Sequence, residues 1–261
     1  MSSKTSVFLV LIPVFAFPTA AEAQSRFRGP LVVAANQRET SEEQNESAQD
    51  AGERKSVRPG INKNFLAADL DVDQWVKRFE VESREVFSAR HNVLKAIDVR
   101  PGWSIADVGA GTGLYTRLFS KAVGKSGRVF AVDISPRFIQ NITQQIKAGK
   151  LANVKTVLCK DDSVELPSSS VDCVFVCDTY HHFEYPGATL ASIHRALRKD
   201  GTLIVIDFER IPGKSREWTI NHVRAGKEVF KQETEAAGFR FEGQVEIEGL
   251  EENYFLKFQK R

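Results

Sequence analysis

Residues 105–113 read IADVGAGTG, an apolar run that ends in an acid and passes into three alternating glycines. Glycine lets a backbone turn tightly and lets a ligand approach where a Cβ would block it. In parallel α/β sheets, ligands bind just beyond the carboxyl ends of the strands. The stretch therefore predicts the first strand of such a sheet, followed by a ligand-binding turn at Gly109, Gly111 and Gly113.

Similar apolar runs recur along the chain. Together with the first they span residues 104–108, 128–133, 154–159, 171–178 and 202–208. Continuous runs of this kind are typical of strands that are buried on both faces. Between them, apolar residues recur at helical spacing over 114–123, 136–148 and 187–198. The alternation predicts a doubly wound α/β sheet with helices on both faces.

The segments that flank these runs complete the predicted domain. Residues 71–97 carry apolar side chains three and four apart, which predicts one or two amphipathic helices. Residues 219–237 predict one more helix. The last two strands, 239–248 and 253–259, are joined by only four residues, so they must be antiparallel.

The N-terminal part of the chain has a different composition. Lys4 precedes an apolar run over 7–17 and an A-x-A sequence that ends at Ala23, which predicts a secretory signal peptide over residues 1–23. The run is shorter than the roughly 20 residues of a membrane span. We therefore expect an exported chain, periplasmic or extracellular, without a stable span after cleavage. If the signal is misread, the chain is cytoplasmic.

Residues 24–60 predict a disordered linker, because no aromatic residue occurs between residues 36 and 60 and polar residues dominate. One folded domain is expected over 61–261. The whole chain has 36 basic and 34 acidic residues, and its net charge of +2 gives no reason to expect a nucleic-acid partner. The three cysteines predict no disulfide framework. No feature indicates an oligomeric state.

Two acids bracket the glycine turn. Asp107 lies at the end of the first predicted strand, and Asp133 ends the second. A dinucleotide site would need helix amides aimed at a pyrophosphate and a third glycine where Leu114 stands. S-adenosylmethionine (SAM) instead carries an ammonium and a sulfonium, which suit a carboxylate at Asp107, while Asp133 suits ribose hydroxyls. The alternative for each acid is a helix N-cap.

With these features, residues 71–261 resemble the class I SAM-dependent methyltransferases, particularly their small-molecule branch. The resemblance implies strand order 3-2-1-4-5-7-6 with the seventh strand antiparallel, and SAM as the cofactor. It also implies an acid after the third strand that binds the adenine amino group. In the segment KDDSVELP at 160–167, spacing to the Leu-Pro pair assigns Asp162, with Ser163 beside it, and leaves Asp161 as the alternative.

The resemblance places the transferred methyl group near CDTYHHF at 177–183. Asp178, His181 or His182 could remove a proton from the acceptor, and we predict these three as catalytic. The alternative is that they cap or pack a helix start. A metal site formed by the same three residues would lack any established spacing, so none is predicted. The segment also lacks the prolines of enzymes that methylate nucleic-acid bases.

The acceptor is expected to be a small molecule or an envelope component. Four side chains further along could form a wall for an anionic acceptor or simply a solvated helix face, which we favour: Arg210, His222, Arg224 and Lys227. Two other functions compete with methyl transfer. One is a non-catalytic SAM- or nucleoside-binding module of the same fold, and the other is an NAD(P)-dependent oxidoreductase.

Overall fold

The computed structural model describes residues 55–261 as a seven-stranded sheet flanked by helices. The predicted signal peptide at 1–23 and the predicted linker up to residue 54 lie outside the described residues.

The seven strands follow one another along the chain as expected. They are β1 (Ser104–Val108), β2 (Arg128–Asp133), β3 (Val154–Leu158), β4 (Val171–Cys177), β5 (Leu197–Phe208), β6 (Phe239–Gln244) and β7 (Asn253–Lys260). Their order in the sheet is 3-2-1-4-5-7-6, and β7 is antiparallel to both β5 and β6. The predicted fold class, order and strand direction are confirmed.

The helices cover both faces of this sheet. They are α1 (Val72–Phe79), α2 (Glu85–Ser88), α3 (Arg90–Ile97), α4 (Leu114–Val123), α5 (Pro136–Gly149), α6 (Pro186–Ala196), α7 (Glu217–His222) and α8 (Lys227–Ala236). A 3₁₀ turn, Tyr180–His182, follows β4.

The central strands are buried on both faces because their side chains alternate between two apolar clusters. In β4, Val174 and Val176 pack in the cluster beneath α6 and α8, whereas Cys173 and Phe175 pack beneath α3 and α4. All four side chains have no solvent exposure. This double burial explains why the strands read as continuous apolar runs.

The structure corrects the prediction of one helix over 219–237. The chain leaves the helical conformation at Val223, and a new helix begins after Gly226. The guanidinium of Arg210 donates to the carbonyls of Ile220 and Val223 at 2.9 and 2.8 Å, so the end of α7 is satisfied by a side chain instead of by a further helical turn.

Residues 55–60, which the sequence assigned to the linker, make specific contacts with the rest of the described domain. The Val57 amide donates to the carbonyl of Glu184 at 2.9 Å, and the Ser56 hydroxyl donates to the Glu184 carboxylate at 2.9 Å. The composition of residues 24–60 did not predict these contacts, because they are made by backbone and small polar groups, which carry no apolar pattern.

None of the helices found within residues 55–261 is long and apolar enough to cross a membrane.

The packing beneath α4 yields a stability prediction. The Phe175 ring lies 4.6 Å from the Tyr115 ring and 5.1 Å from the Phe119 ring, between centroids. Phe175→Ala should lower the free energy of unfolding by about 3–5 kcal/mol, because it removes a fully buried ring and leaves a cavity. Leu158→Ala, at a side chain that is 51% exposed, should change it by less than about 1 kcal/mol. Urea denaturation of the two variants checks this difference, and equal losses would contradict it.

Candidate active site

A cavity of about 710 Å³ opens at the carboxyl ends of β1, β2 and β4. The strand order reverses between β1 and β4, because β2 and β3 lie on one side of β1 and all later strands on the other. Such a reversal leaves a crevice at the sheet edge, and this is where parallel α/β sheets bind ligands. The predicted glycine turn lines this cavity.

The glycine turn takes a conformation that ordinary side chains would not permit. Gly109 has a φ of +75°, and a Cβ built on it would lie 2.2 Å from the hydroxyl oxygen of Thr179. The turn therefore packs directly against the segment that follows β4. Gly111 has a φ of +54° and donates its amide to the Asp133 carboxylate at 2.7 Å. Gly113 begins α4 at a φ of +83°.

Asp107 is a buried carboxylate on the floor of the cavity. Its Oδ2 accepts a hydrogen bond from the Thr116 hydroxyl at 2.6 Å. Burial is the main reason that its pKa rises to about 7, and the nearby charge of Asp133 adds to the rise. Asp107 is not a helix N-cap, because Gly113 occupies that position of α4.

Asp133 holds the second strand end in a similar way. One carboxylate oxygen accepts from the Gly111 amide at 2.7 Å, and the other accepts from the Ser135 amide at 2.8 Å. Burial raises its pKa to about 6 in spite of these bonds. The N-cap of α5 is Ser135, whose side chain accepts from the Phe138 amide, so the N-cap interpretation of Asp133 is wrong.

The acids after β3 divide between two surfaces. Asp161 and Ser163 line the large cavity, whereas Asp162 lines a small separate depression beside Arg195. Ser163 also contributes to that depression. Asp162, selected by counting back from the Leu-Pro pair, therefore lies outside the wall of the large cavity and Asp161 lies in it, and the choice between them stays a prediction.

Asp178 is held by partners on two other elements. The Arg84 guanidinium donates to one carboxylate oxygen, and the Asn253 amide donates to the other at 2.7 Å. Burial raises the pKa of Asp178, while the charge of Arg84 opposes that rise. Because both oxygens are engaged and the backbone has a φ of +48°, Asp178 is better suited to fixing the loop than to accepting a proton.

His181 is oriented by an acid that sequence reasoning did not place in the site. Its Nδ1 lies 2.8 Å from Oδ1 of Asp207, a fully buried residue near the end of β5, and its backbone amide donates to Oδ2 of the same carboxylate at 3.1 Å. This fixes the ring and leaves Nε2 available. The signal for Asp207 was available, because it is another acid near the end of a parallel strand.

His182 and His222 face each other across the same end of the cavity. Their Nε2 atoms are 3.4 Å apart. Burial lowers the pKa of His182 to about 2 and that of His222 to about 4, with the neighbouring His181 as the next cause in each case. Both rings are therefore neutral at pH 7. A ring that takes up a proton only near pH 2 is a weak base, so His182 has little capacity for proton removal.

Residues before β1 cover the cavity. The sequence alone did not assign this role to them. Phe65 packs against Trp75 with centroids 4.9 Å apart, and both line the cavity. The side-chain amide of Asn62 donates to the His182 carbonyl at 3.1 Å, and Glu80 pairs with Arg117 of α4 at 2.7 Å. The cover is thus attached to the loop after β4 and to the helix after the glycine turn.

Three of the four side chains in the proposed anion-binding wall are engaged elsewhere. Arg210 bonds to the end of α7, Arg224 pairs with Glu233 at 2.6 Å, and Lys227 pairs with Glu209 at 2.5 Å. Arg224 and Lys227 are thus paired with carboxylates and Arg210 with backbone carbonyls, so these three side chains form neither an anion-binding wall nor a purely solvated face. His222 alone of the four lines the cavity.

The sheet order is that of the class I methyltransferase fold, and the acid-bracketed glycine turn lies at its ligand-binding edge. Residues 106–205 match the family model described as "Methyltransferase domain".

Sequence relatives carry a more specific name. Over 139 residues the chain is 30% identical to the ubiquinone/menaquinone biosynthesis C-methyltransferase UbiE of Bordetella parapertussis, which covers 51% of this chain and 54% of that protein. The protein of the same name from Hahella chejuensis is 32% identical over 113 residues, covering 43% of this chain and 45% of that protein. The chain thus matches about half the length of these relatives.

Solved structures share the fold at lower identity. A SAM-dependent methyltransferase from Aquifex aeolicus superimposes with a TM-score of 0.65 at 24% identity, covering 73% of this chain and 99% of that one. A TehB-like SAM-dependent methyltransferase from Corynebacterium glutamicum gives 0.54 at 18% identity, covering 73% and 98%. These likenesses establish the fold.

The buried position of Asp107 predicts how stability changes with pH. Its pKa of about 7 lies above the value near 3.9 of an unfolded chain, so the folded protein binds the proton more tightly. The contribution of Asp107 to the free energy of unfolding is therefore most favourable below pH 4 and is lost as the pH rises to 7. Asp107→Asn should gain stability relative to wild type on going from pH 5 to pH 8, by on the order of 2 kcal/mol.

Thermal unfolding at the two pH values checks this prediction. Asp69→Asn, at an exposed position before α1, is the matched control. A pH-independent effect of Asp107→Asn would contradict the burial of a charged carboxylate.

Proposed function

We propose that this protein is a methyltransferase that binds SAM in the cavity at the ends of β1, β2 and β4 and transfers its methyl group to a small acceptor. One observation carries this proposal. Asp107 and Asp133 are buried beside the glycine turn, and their hydrogen bonds come from neutral donors, which are a hydroxyl and two backbone amides. A cationic ligand offsets the cost of keeping these carboxylates charged.

The charges of the site favour SAM over a dinucleotide. Asp107 suits the ammonium group of the amino-acid end, and the remaining lone pairs of Asp133 suit ribose hydroxyls. A pyrophosphate at the glycine turn would meet both carboxylates. The Gly111 amide, which would have to bind that pyrophosphate, already donates to Asp133. The oxidoreductase alternative therefore lacks support in the geometry.

Methyl transfer from a sulfonium is an in-line displacement, so most of the acceleration comes from holding acceptor, methyl and sulfur in line. The Gly109–Thr179 contact and the bonds of Asp178 fix the loop beside the expected position of the methyl group. His181 is the side chain best placed to act on an acceptor, because Asp207 fixes its ring and Nε2 remains available.

The acceptor end of the cavity favours a small molecule with an apolar or aromatic part. Phe65, Trp75 and Trp218 line it, and Trp218 is 53% exposed at its rim. The UbiE relatives are named for methylation at carbon in quinone biosynthesis. An aromatic acceptor fits both observations. An envelope component remains a prediction that is linked to the predicted export.

Ligand binding tests the cofactor assignment. In calorimetric titrations the full chain should bind SAM and show no saturable binding of NAD. Asp133→Ala should weaken SAM binding at least tenfold through lost hydrogen bonds to the ribose, and Asp161→Ala should weaken it several-fold. Asp162→Ala is the matched control and should stay within twofold of wild type, because its side chain lies in the separate depression. Binding of NAD without SAM would overturn the proposal.

Transfer itself is tested with SAM labelled in the methyl group, supplied with fractions of a cell extract. The wild-type chain should label at least one low-molecular-weight fraction. Asp107→Ala should lose this labelling while its circular dichroism spectrum is retained, because the variant no longer holds the cofactor. SAM binding with no labelled product in any fraction would favour the non-catalytic binding module.

A further inference from the structure

Three histidine rings meet at the acceptor end of the cavity. His181 and His182 come from the turn after β4, and His222 comes from the end of α7. One ring nitrogen from each residue can be chosen so that all three lie within 4.8 Å of one another. We call these three residues the histidine cluster. The chain has only five histidines, so three of them converge on one point.

The spacing within the histidine cluster suits a tetrahedral metal ion. Zn²⁺ binds imidazole nitrogens at about 2.0–2.1 Å, so two ligands of a tetrahedral ion stand about 3.3–3.4 Å apart. The Nε2 atoms of His182 and His222 are 3.4 Å apart. One edge of a tetrahedral site therefore already has the required length, and the third nitrogen lies within 4.8 Å of the other two.

The hydrogen bonds of His181 match those of a metal-binding histidine. A ligating histidine characteristically donates its other ring nitrogen to a carboxylate or carbonyl, which fixes the ring. In His181 this partner is Asp207, at 2.8 Å from Nδ1, and Nε2 is left as the ligand. Both residues are almost fully buried, at 2% and 0% side-chain exposure.

His182 is not explained by packing alone. Its Nδ1 is buried and has no hydrogen-bond partner within the described part of the chain, and the partner of its Nε2 is the Nε2 of His222. Buried polar atoms in proteins nearly always have partners. A buried histidine with an unpartnered ring nitrogen, beside two further histidines in the wall of a cavity, favours a role in binding a ligand.

We propose that His181, His182 and His222 bind one Zn²⁺ ion, with its fourth position open to the cavity. Three neutral imidazoles prefer zinc or a similar late transition metal over Mg²⁺ or Ca²⁺, which prefer oxygen ligands. Three protein ligands with one open position are the arrangement of catalytic zinc sites. The spacing within residues 178–182 predicted no metal because the third ligand comes from 40 residues further along the chain.

A zinc ion here would act on the acceptor, a consequence that rests on the proposed function. A hydroxyl bound at the open position has a lowered pKa and releases its proton to solvent at neutral pH. Its oxygen then forms the bond to the methyl carbon, the bond from carbon to sulfur breaks, and the electron pair stays on sulfur as a neutral thioether. In this arrangement His181 is a ligand and not a base.

Metal titration tests the site directly. The full chain, prepared without a polyhistidine tag and freed of metal with a chelator, is titrated with ZnCl₂ by calorimetry and with CoCl₂ by visible absorption. The expected result is one zinc per chain with a dissociation constant in the micromolar range or below. The cobalt form should show the intense d–d bands of a four-coordinate site.

Variants separate this site from incidental zinc binding. His222→Ala and His182→Gln should each weaken zinc binding at least tenfold. Asp207→Asn should weaken it by about 10–100-fold through loss of ring orientation. His91→Ala is the matched control, because His91 is exposed on α3, and it should bind as wild type does. SAM affinity, measured in parallel, should be retained in His222→Ala. Retained SAM binding shows that the variant is folded, and it keeps the zinc test separate from the test of the cofactor.

No saturable zinc binding by the wild-type chain would overturn the proposal. So would variants of the histidine cluster that fold, bind SAM and lose no more zinc affinity than His91→Ala. Cobalt spectra of a six-coordinate ion would overturn the three-histidine geometry.

Discussion

Asp107 and Asp133 hold two carboxylates in the protein interior at the ends of adjacent parallel strands, and burial raises the pKa of both. A folded protein tolerates this cost where the charges serve a ligand. The surrounding structure is arranged around them. Gly111 turns so that its amide reaches Asp133, and Thr116 in the first turn of α4 reaches Asp107. The cavity exists because the strand order reverses beside these two acids.

The cavity is closed from elements that are distant in sequence. Residues 56–60 bond to Glu184, Asn62 bonds to the His182 carbonyl, and Arg84 bonds to Asp178. Segments before β1 therefore fix the loops after β4, where the acceptor is proposed to bind. The same loops carry the histidine cluster, so the cofactor end and the acceptor end are built from different parts of the chain and meet at the glycine turn.

The fold was predictable because it depends on patterns that are local and strong. Continuous apolar runs identified β1 to β5, and the short connection predicted between the last two strands, which spans residues 245–252 in the structure, indicated their antiparallel pairing. The predictions that failed concern contacts that no local pattern reveals. The break at Val223 involves the Arg210 guanidinium, and residues 56 and 57 bond to Glu184. In both cases the partner is a residue distant in sequence.

The candidate site likewise contains some residues that a local pattern predicted and others that it could not. Asp107 and Asp133 were predictable because acids at the ends of neighbouring parallel strands must lie close together. The choice between Asp161 and Asp162 was not, because adjacent residues in a loop point in different directions and spacing does not resolve them. His222 was named only as a possible wall residue, and its approach to His182 was not predictable, since only the packing of α7 brings the two rings together.

A crystal structure of the protein with S-adenosylhomocysteine, the demethylated form of the proposed cofactor, tests the central claim most directly. The account predicts that the ligand's ammonium group lies within hydrogen-bonding reach of Asp107, directly or through one water, that its ribose hydroxyls bond to Asp133, and that its sulfur points toward the histidine cluster. A ligand bound outside this cavity, or bound with its ribose away from Asp133, would contradict the account.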